Sequence, residues 1–338
     1  MSEQDIKEEV IPAASENLAA ERYSTLEEML TYGFDINWVI DRAKEKGIND
    51  PDPAAALARR ILSPGAFKNL FIAMHDLTIE ILRKVIAEPG TKLTEDEMGL
   101  LVSDIPDCVL LTWDDKAVVA DDFADQFRKL DTPDFNNQRK LNAWILDCLY
   151  MTHHGFGVLK DSEFLKMVSL NGTKLTIKEI KKIWQSLPSE KKYCKFESGY
   201  VFDPDFLNKK DYIRLYGELR RKYPLRMPSF EEVDGLFAWG YPFRNPAYQK
   251  MKNCLRPLVK NRFDAYSLVI RLYNQISAED KIEALLTALM EDKELEQLLD
   301  PSKTADLLMN IRLTTRHWNL GGNTPKDLGI TSGNALLI

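Results

Sequence analysis

Residues 141–202 read LNAWILDCLYMTHHGFGVLKDSEFLKMVSLNGTKLTIKEIKKIWQSLPSEKKYCKFESGYVF, and the breaks in this stretch mark out one small supersecondary unit. Leu141, Ile145, Cys148 and Leu149 fall on one face of a first helix, which Gly155 is placed to stop. A short extended piece follows. Asp161 or Ser162 can cap a second helix that buries Phe164, Leu165 and Val168, and Gly172 breaks it. Thr176 with Glu179 three residues on is a capping box. The helix it opens places Ile177, Ile180, Ile183, Trp184 and Leu187 on a buried stripe, and Lys178, Lys181, Lys182 and Gln185 on the other face. Glu197-Ser198-Gly199 then turns a hairpin between YCKF and YVF.

Helix, extended piece, two helices and hairpin is the order of a winged helix. Residues 67–120 repeat it: helix FKNLFIAMHDLTIEILRKVIA, helix TEDEMGLLVS opened by a Thr94–Glu97 capping box, and hairpin VLLTWDDKAVVA turning at Asp114-Asp115. The next helix, DDFADQFRKL, ends before Asp131-Thr132-Pro133-Asp134, which reads as a linker. Ahead of the repeat, Ser24 with Glu27 reads as a capping box, and Leu26, Met29, Leu30, Val39, Ile40 and Ala43 recur at helical spacing. Past residue 204 the pattern predicts helices near 246–258, 263–275, 278–290 and 301–316, the last with Asp300 as N-cap and Pro301 at its first position. The expected fold is mainly α with small β-hairpins. Its expected parts are an acidic flexible tail at 1–22, a small helical module at 23–64, winged-helix-like units at 65–130 and 138–206, and a C-terminal helical domain at 207–338.

A chain of 338 residues, 44% hydrophobic and 29% charged, is ordinary for a globular protein of several compact units. No apolar run reaches the roughly 18 residues of a membrane helix, and the acidic N-terminal stretch has no apolar core, so a cytoplasmic protein without a membrane span is expected. Cys108, Cys148, Cys194 and Cys254 are far apart and form no C-x-x-C pair, which points to reduced thiols. The four histidines add no metal-ligand spacing, so neither a metal nor a cofactor is expected. No G-x-G-x-x-G, Walker A, H-E-x-x-H, G-x-S-x-G or EF-hand pattern occurs, which lowers the expectation of an enzyme.

Charge is divided unevenly. Residues 1–136 hold 14 Lys and Arg against 28 Asp and Glu, a net −14; residues 137–338 hold 31 against 24, a net +7. Two basic sets are candidate sites for nucleic acid or an acidic partner. The first is the stripe Lys178, Lys181 and Lys182 with Lys174, Lys191 and Lys192 beside it. It lacks the Arg and Asn that read bases, so its lysines would position a backbone rather than specify a sequence. The second is Arg220, Arg221, Lys222 and Arg226, interleaved with Tyr216 and Tyr223; the plainer expectation is that it pairs with the acidic N-terminal half. His153-His154, at a helix C-terminus with no carboxylate at ligand spacing, reads as a cap.

Two resemblances add to this reading. WVIDRAKEKGI with ALARRIL, within residues 24–63, resembles the small helical module of SAP and Rho N-terminal domains. The segment LLMNIRLTTRHWNLGGNTPKDL resembles the N-N-T-R-x-W-x-x-x-G-x-T-P-x-E-L segment of bacterial proteins that carry a C-terminal SEC-C motif, with Thr315, Arg316, Trp318, Gly322, Thr324, Pro325 and Leu328 at the matching positions. That resemblance implies a tandem helical and winged-helix architecture and no reaction. It implies a packing role for Trp318 and bonds from Arg316 to the Gly321-Gly322 carbonyls. The tail GITSGNALLI has no Cys, so the family's zinc element carries over no metal site. The function expected first is a non-enzymatic adaptor that binds another protein or itself. Second comes a nucleic-acid-binding regulator, and third an unrecognised enzyme.

Overall fold

The computed structural model describes residues 22–204, 211–259, 262–277 and 300–331. The helix expected at 278–290 and nearly all of the acidic tail lie outside these. The fold is mainly helical, with two small sheets among the described residues, and the chain divides between Lys140 and Leu141 into two compact units. Among the described residues no helix is long and apolar enough to cross a membrane.

The first unit opens with α1 (Leu26–Tyr32), α2 (Ile36–Glu45) and α3 (Pro53–Ile61). The capping box that starts α1 is Thr25–Glu28, one residue beyond the expected Ser24–Glu27. Leu26, Met29, Leu30, Val39 and Ala43 are buried as the helical spacing predicts, together with Leu57 and Ala58 of α3, whereas Ile40 is only half-buried. The long helix expected over 67–87 is two helices, α4 (Pro64–Phe71) and α5 (Asp76–Ala87). His75 causes the break: its Nδ1 accepts from the Leu77 N–H and caps α5. Then come α6 (Glu95–Asp104), with the expected Thr94–Glu97 box, and the hairpin β1 (Leu111–Trp113) and β2 (Lys116–Val118), turned at Asp114 with φ 50°. The hairpin leads into α7 (Asp121–Leu130). Between α5 and the hairpin stand one helix and a 3-10 turn, Asp107–Val109, so the order of residues 141–202 is only partly repeated here. Phe67, Phe71, Phe123 and Phe127 form an aromatic core with ring centres 5.1–6.1 Å apart.

The expected linker at Asp131–Asp134 is a packed corner. Thr132 accepts from the Phe135 and Asn136 N–H groups, and Pro133 opens α8 (Pro133–Met151) at the position where its missing N–H costs nothing. Arg83 donates twice to Asp131 at 2.8 Å and holds its carboxyl below the usual carboxylate range. Arg139 is only 1% exposed. It donates to the Met74 carbonyl at 2.6 Å, to Asn136 and to Asp76.

In the second unit the α8 helix is not amphipathic as its Leu141–Leu149 stripe suggests: residues 142–151 are all buried. Such a helix needs partners for its polar side chains, and Asp147 finds them by accepting from the Gly235 and Phe237 N–H groups. It thereby caps α13 (Leu236–Trp239), which follows α12 (Phe230–Val233). Gly155 does not stop the helix. A π-helical turn, Thr152–Phe156, carries it on to Gly157, whose φ of 65° ends it. Next come β3 (Val158–Lys160), α9 (Asp161–Val168), α10 (Ile177–Ser186), β4 (Lys195–Glu197) and β5 (Tyr200–Phe202). The N-cap of α9 is Lys160, whose N–H donates to Glu163, not Asp161 or Ser162. The Thr176–Glu179 box opens α10. The sheet order is β3-β5-β4, all antiparallel, and Ser198 (φ 51°) with Gly199 (φ 83°) makes the tight turn. Helices α11 (Asp211–Lys222), α14 (Pro246–Leu255), α15 (Arg262–Ser277) and α16 (Pro301–Thr314, capped by Asp300) are the unit's other helices among the described residues.

Replacing Arg139 with Ala leaves the Met74 carbonyl without its buried donor and Asp76 without its buried cation. The expected loss is about 3 kcal/mol in urea unfolding of the full chain, and a loss under ~1 kcal/mol refutes the role given to this guanidinium.

Candidate functional site

The lysine stripe sits on α10, and the structure splits it. Lys178, Lys182 and Gln185 are exposed, as is Lys174 ahead of the helix. Lys181 instead turns to Asp161, 3.2 Å away, and lies 5.6 Å from the Phe196 ring centre. Lys192 donates to the Gln185 carbonyl at 3.2 Å and sits over the Trp184 ring, while Lys191 lies 5.6 Å from the centre of the Phe237 ring. Lys174, Lys178 and Lys182 have no carboxylate partner among the described residues. The apolar stripe is split too. Ile180 and Leu187 are buried, but Ile177, Ile183 and Trp184 keep part of their surface in solvent.

The Arg220–Arg226 cluster does not act as one patch. Arg220 is half-buried: it donates to the Gly321 carbonyl at 2.9 Å, and its guanidinium lies 5.2 Å from the Tyr216 ring centre. Tyr216 in turn donates to Glu163 at 2.7 Å; burial first, and then this bond, push the phenol up to about 12. Arg226 pairs with Asp327 at 2.6 Å. These partners belong to the second unit, not to the acidic N-terminal half where the sequence suggested they would be found. Arg221 and Lys222 are exposed, with Arg221 donating to the Gly217 carbonyl and Lys222 lying over Tyr223.

The C-terminal motif forms a buried hub. Arg316 Nε and a terminal nitrogen donate to the two Glu232 carboxylate oxygens at 2.9 and 3.0 Å. Its other nitrogen donates to the Gly322 carbonyl at 2.6 Å and to the Arg226 carbonyl at 3.1 Å. Of the two glycine carbonyls expected as its partners it takes Gly322; Gly321 goes to Arg220. Thr315 shares a 2.7 Å bond with the Tyr248 hydroxyl and donates to the Ile311 carbonyl. Thr324 accepts from the Asp327 N–H, and Pro325 is buried beside it. Trp318 is half-buried, not fully buried as expected, and its Cβ lies over Gly157. Gly322 (φ 85°) faces Phe156 so closely that a Cβ there would fall 2.1 Å from the ring.

The histidine pair is more than a helix cap. His153 Nδ1 lies 2.7 Å from Asp203 Oδ2, and His154 Nδ1 lies 2.9 Å from Ser277 Oγ. Tyr150 and Tyr273 pack on His154, with ring centres 4.3 and 5.0 Å away. Burial, helped by the neighbouring His153, holds His154 well below the usual imidazole range. Asp203, just past β5 and fully buried, is the carboxylate that residue spacing around position 153 could not reveal. Only the β3–β5 pairing brings it back to the π turn.

Gly322→Ala meets both an unfavourable backbone region and the Phe156 ring, so a loss of about 3 kcal/mol or more in chemical unfolding is expected. Gly329→Ala, at φ 72° with nothing within 4 Å, loses only about 1 kcal/mol. Equal losses would remove the steric argument. A second expectation concerns pH. Burial lowers His317 to about 4, so below the ordinary imidazole value the unfolded chain takes up a proton that the folded chain refuses. Stability therefore falls as pH drops from about 6.5 to about 4, by at most ~1.4 kcal/mol per pH unit for this group. His317→Gln flattens that slope in pH-dependent unfolding, and an unchanged slope refutes the assignment. No family model, no curated protein and no solved structure matches the chain.

Proposed function

We propose that the protein is a non-enzymatic adaptor working through protein–protein contact, with residues 141–202 a winged-helix unit whose third helix, α10, presents the contact face. The sheet order β3-β5-β4 with two helices between its first strand and its hairpin supports the winged-helix part. The observation that carries the functional part is the state of α10: Ile177, Ile183 and Trp184 remain partly open to solvent beside exposed Lys178 and Lys182. Covering apolar surface is worth about 25 cal/mol per Å², and the lysine rim selects a partner that is apolar at its centre and acidic at its edge. Within this proposal the chain shares the C-terminal motif of SEC-C-associated proteins.

A second reading, nucleic-acid binding, draws on the exposed Lys174, Lys178 and Lys182 on a winged-helix-like unit. It is the weaker one, because Lys181, Lys192, Arg220 and Arg226 already have partners within the fold. Three phosphate contacts would give a salt slope of only about −2.7 on duplex DNA.

Cross-linking followed by affinity capture is expected to retain a protein partner with the wild-type chain and with Lys129→Glu, and to lose it with Ile183→Ser combined with Lys182→Glu. An unchanged set of captured proteins overturns the α10 reading. Titration with duplex DNA and RNA at low and high salt is expected to show no tight complex. Strong binding at low salt that Lys178→Glu and Lys182→Glu abolish makes the second reading the correct one.

A further inference from the structure

His153 and His154 stand side by side in the π turn but serve different parts of the second unit. Their rings meet edge to face, with centres 4.4 Å apart. His153 turns to the buried Asp203 carboxylate past β5, Nδ1 to Oδ2 at 2.7 Å. His154 turns to the last turn of α15, where its Nδ1 lies 2.9 Å from Ser277 Oγ and its ring centre 5.0 Å from that of Tyr273. Tyr150 of α8 packs on His154 as well, at 4.3 Å. Tyr273, Ile276 and Ser277 are all buried. The end of α15 is thus seated on the π turn through one imidazole.

The groups around this pair decide which proton matters. Tyr150 of α8, Tyr193 ahead of β4, Tyr248 of α14 and Tyr273 of α15 are phenols that burial pushes above their ordinary value, with Glu190 adding to the effect on Tyr193. Burial likewise pushes up the Cys148 and Cys194 thiols. None of these changes charge near neutral pH. Arg316 is a fixed cation acting on Tyr273. Asp203 faces His153, and the charged neighbour that acts on His154 is His153 itself. A proton on His154 therefore makes an imidazolium among tyrosine rings, with no carboxylate bonded to it among the described residues. A packed interior does not tolerate such a charge, whereas in water an imidazole takes its proton near pH 6.5.

We propose that the π turn is a proton-operated latch on α15: when His154 takes up a proton, Ser277 is released and the last turn of the helix leaves the π turn. Helical turns of this kind gather at functional sites, and this one spends its irregularity on seating the two histidines. The open form binds the proton at the ordinary imidazole value and the closed form refuses it. The opening constant is therefore flat above about pH 6.5 and grows as pH falls below it. Opening bares Tyr273 and Ile276, apolar surface that the closed form keeps covered.

Hydrogen exchange of the full chain, read by mass spectrometry on peptides ending at Ser277 and corrected for the intrinsic pH dependence of exchange, tests this. Between about pH 7.5 and about pH 5 the opening constant is expected to rise roughly ten- to thirtyfold for one proton. His154→Asn keeps a hydrogen-bonding group for Ser277 but takes no proton, and it flattens the rise. His153→Gln, which can still donate to Asp203, leaves the rise in place, and so does His317→Gln, which removes the other buried neutral imidazole. The latch is overturned if the wild-type rise is below roughly threefold, if His154→Asn keeps it, or if either of the other two variants abolishes it. Where His154→Asn leaves α15 open at every pH, imidazole NMR titration of the wild-type chain decides instead. The His154 signal is then expected to titrate in step with the exchange of α15, and titration with no change in that exchange removes the latch.

Discussion

Arg316 donates in three directions at once, to the Glu232 carboxylate, the Arg226 carbonyl and the Gly322 carbonyl. A buried guanidinium left without partners is too costly for a folded protein to carry. The three segments that supply these acceptors therefore have to be in place together, and much of the second unit follows from that requirement. The Gly322 turn comes against Phe156 with no room for a side chain. Phe156 ends the π turn, and the π turn sets His153 toward Asp203 and His154 toward Ser277. Gly157, at the exit of the same turn, lies under Trp318 and leads directly into β3. The C-terminal motif thus anchors the start of the helix–strand–helix–helix–hairpin unit from more than a hundred residues away in sequence.

The second unit treats its other buried polar groups in the same way. Asp147, in the middle of a helix with every side covered, is held by the two N–H groups that open α13. Glu163 accepts from the Lys160 N–H and from Tyr216, and lies 3.9 Å from Arg220. Each of these side chains ties one segment to another that is distant in sequence, so the polar interior specifies which segments meet while the apolar core supplies the bulk of the driving force.

Burial and pairing also decide what is left on the surface. A lysine or arginine already paired within the fold has little to offer a partner. Of the ten candidate cations, Lys181, Lys192, Arg220, Arg221 and Arg226 are among those engaged in this way. What α10 still presents is a mixed face: two exposed lysines beside apolar residues that the fold covers only in part. That combination suits a protein surface better than a phosphate backbone, which calls for a dense row of cations and has no use for an open Trp and two Ile.

Features whose causes lie within a few residues were legible from the amino-acid order. The Thr94–Glu97 and Thr176–Glu179 boxes, the Asp300 cap and the turns at Asp114 and at Ser198-Gly199 stand where local chemistry places them, because each is closed by atoms no more than four residues apart. Helical spacing likewise marked Leu26, Met29 and Leu30 as core. The rest depended on packing between distant segments. It buried every side of α8 after Leu141, although its sequence shows a single apolar stripe, and it left three of the five residues of the α10 stripe partly open although their spacing promises full burial. It brought Asp203 to His153 across fifty residues and Gly321 to Arg220 across a hundred and one. Periodicity states that a face is apolar or charged; only the arrival of another segment settles whether that face is covered, paired or left for a partner.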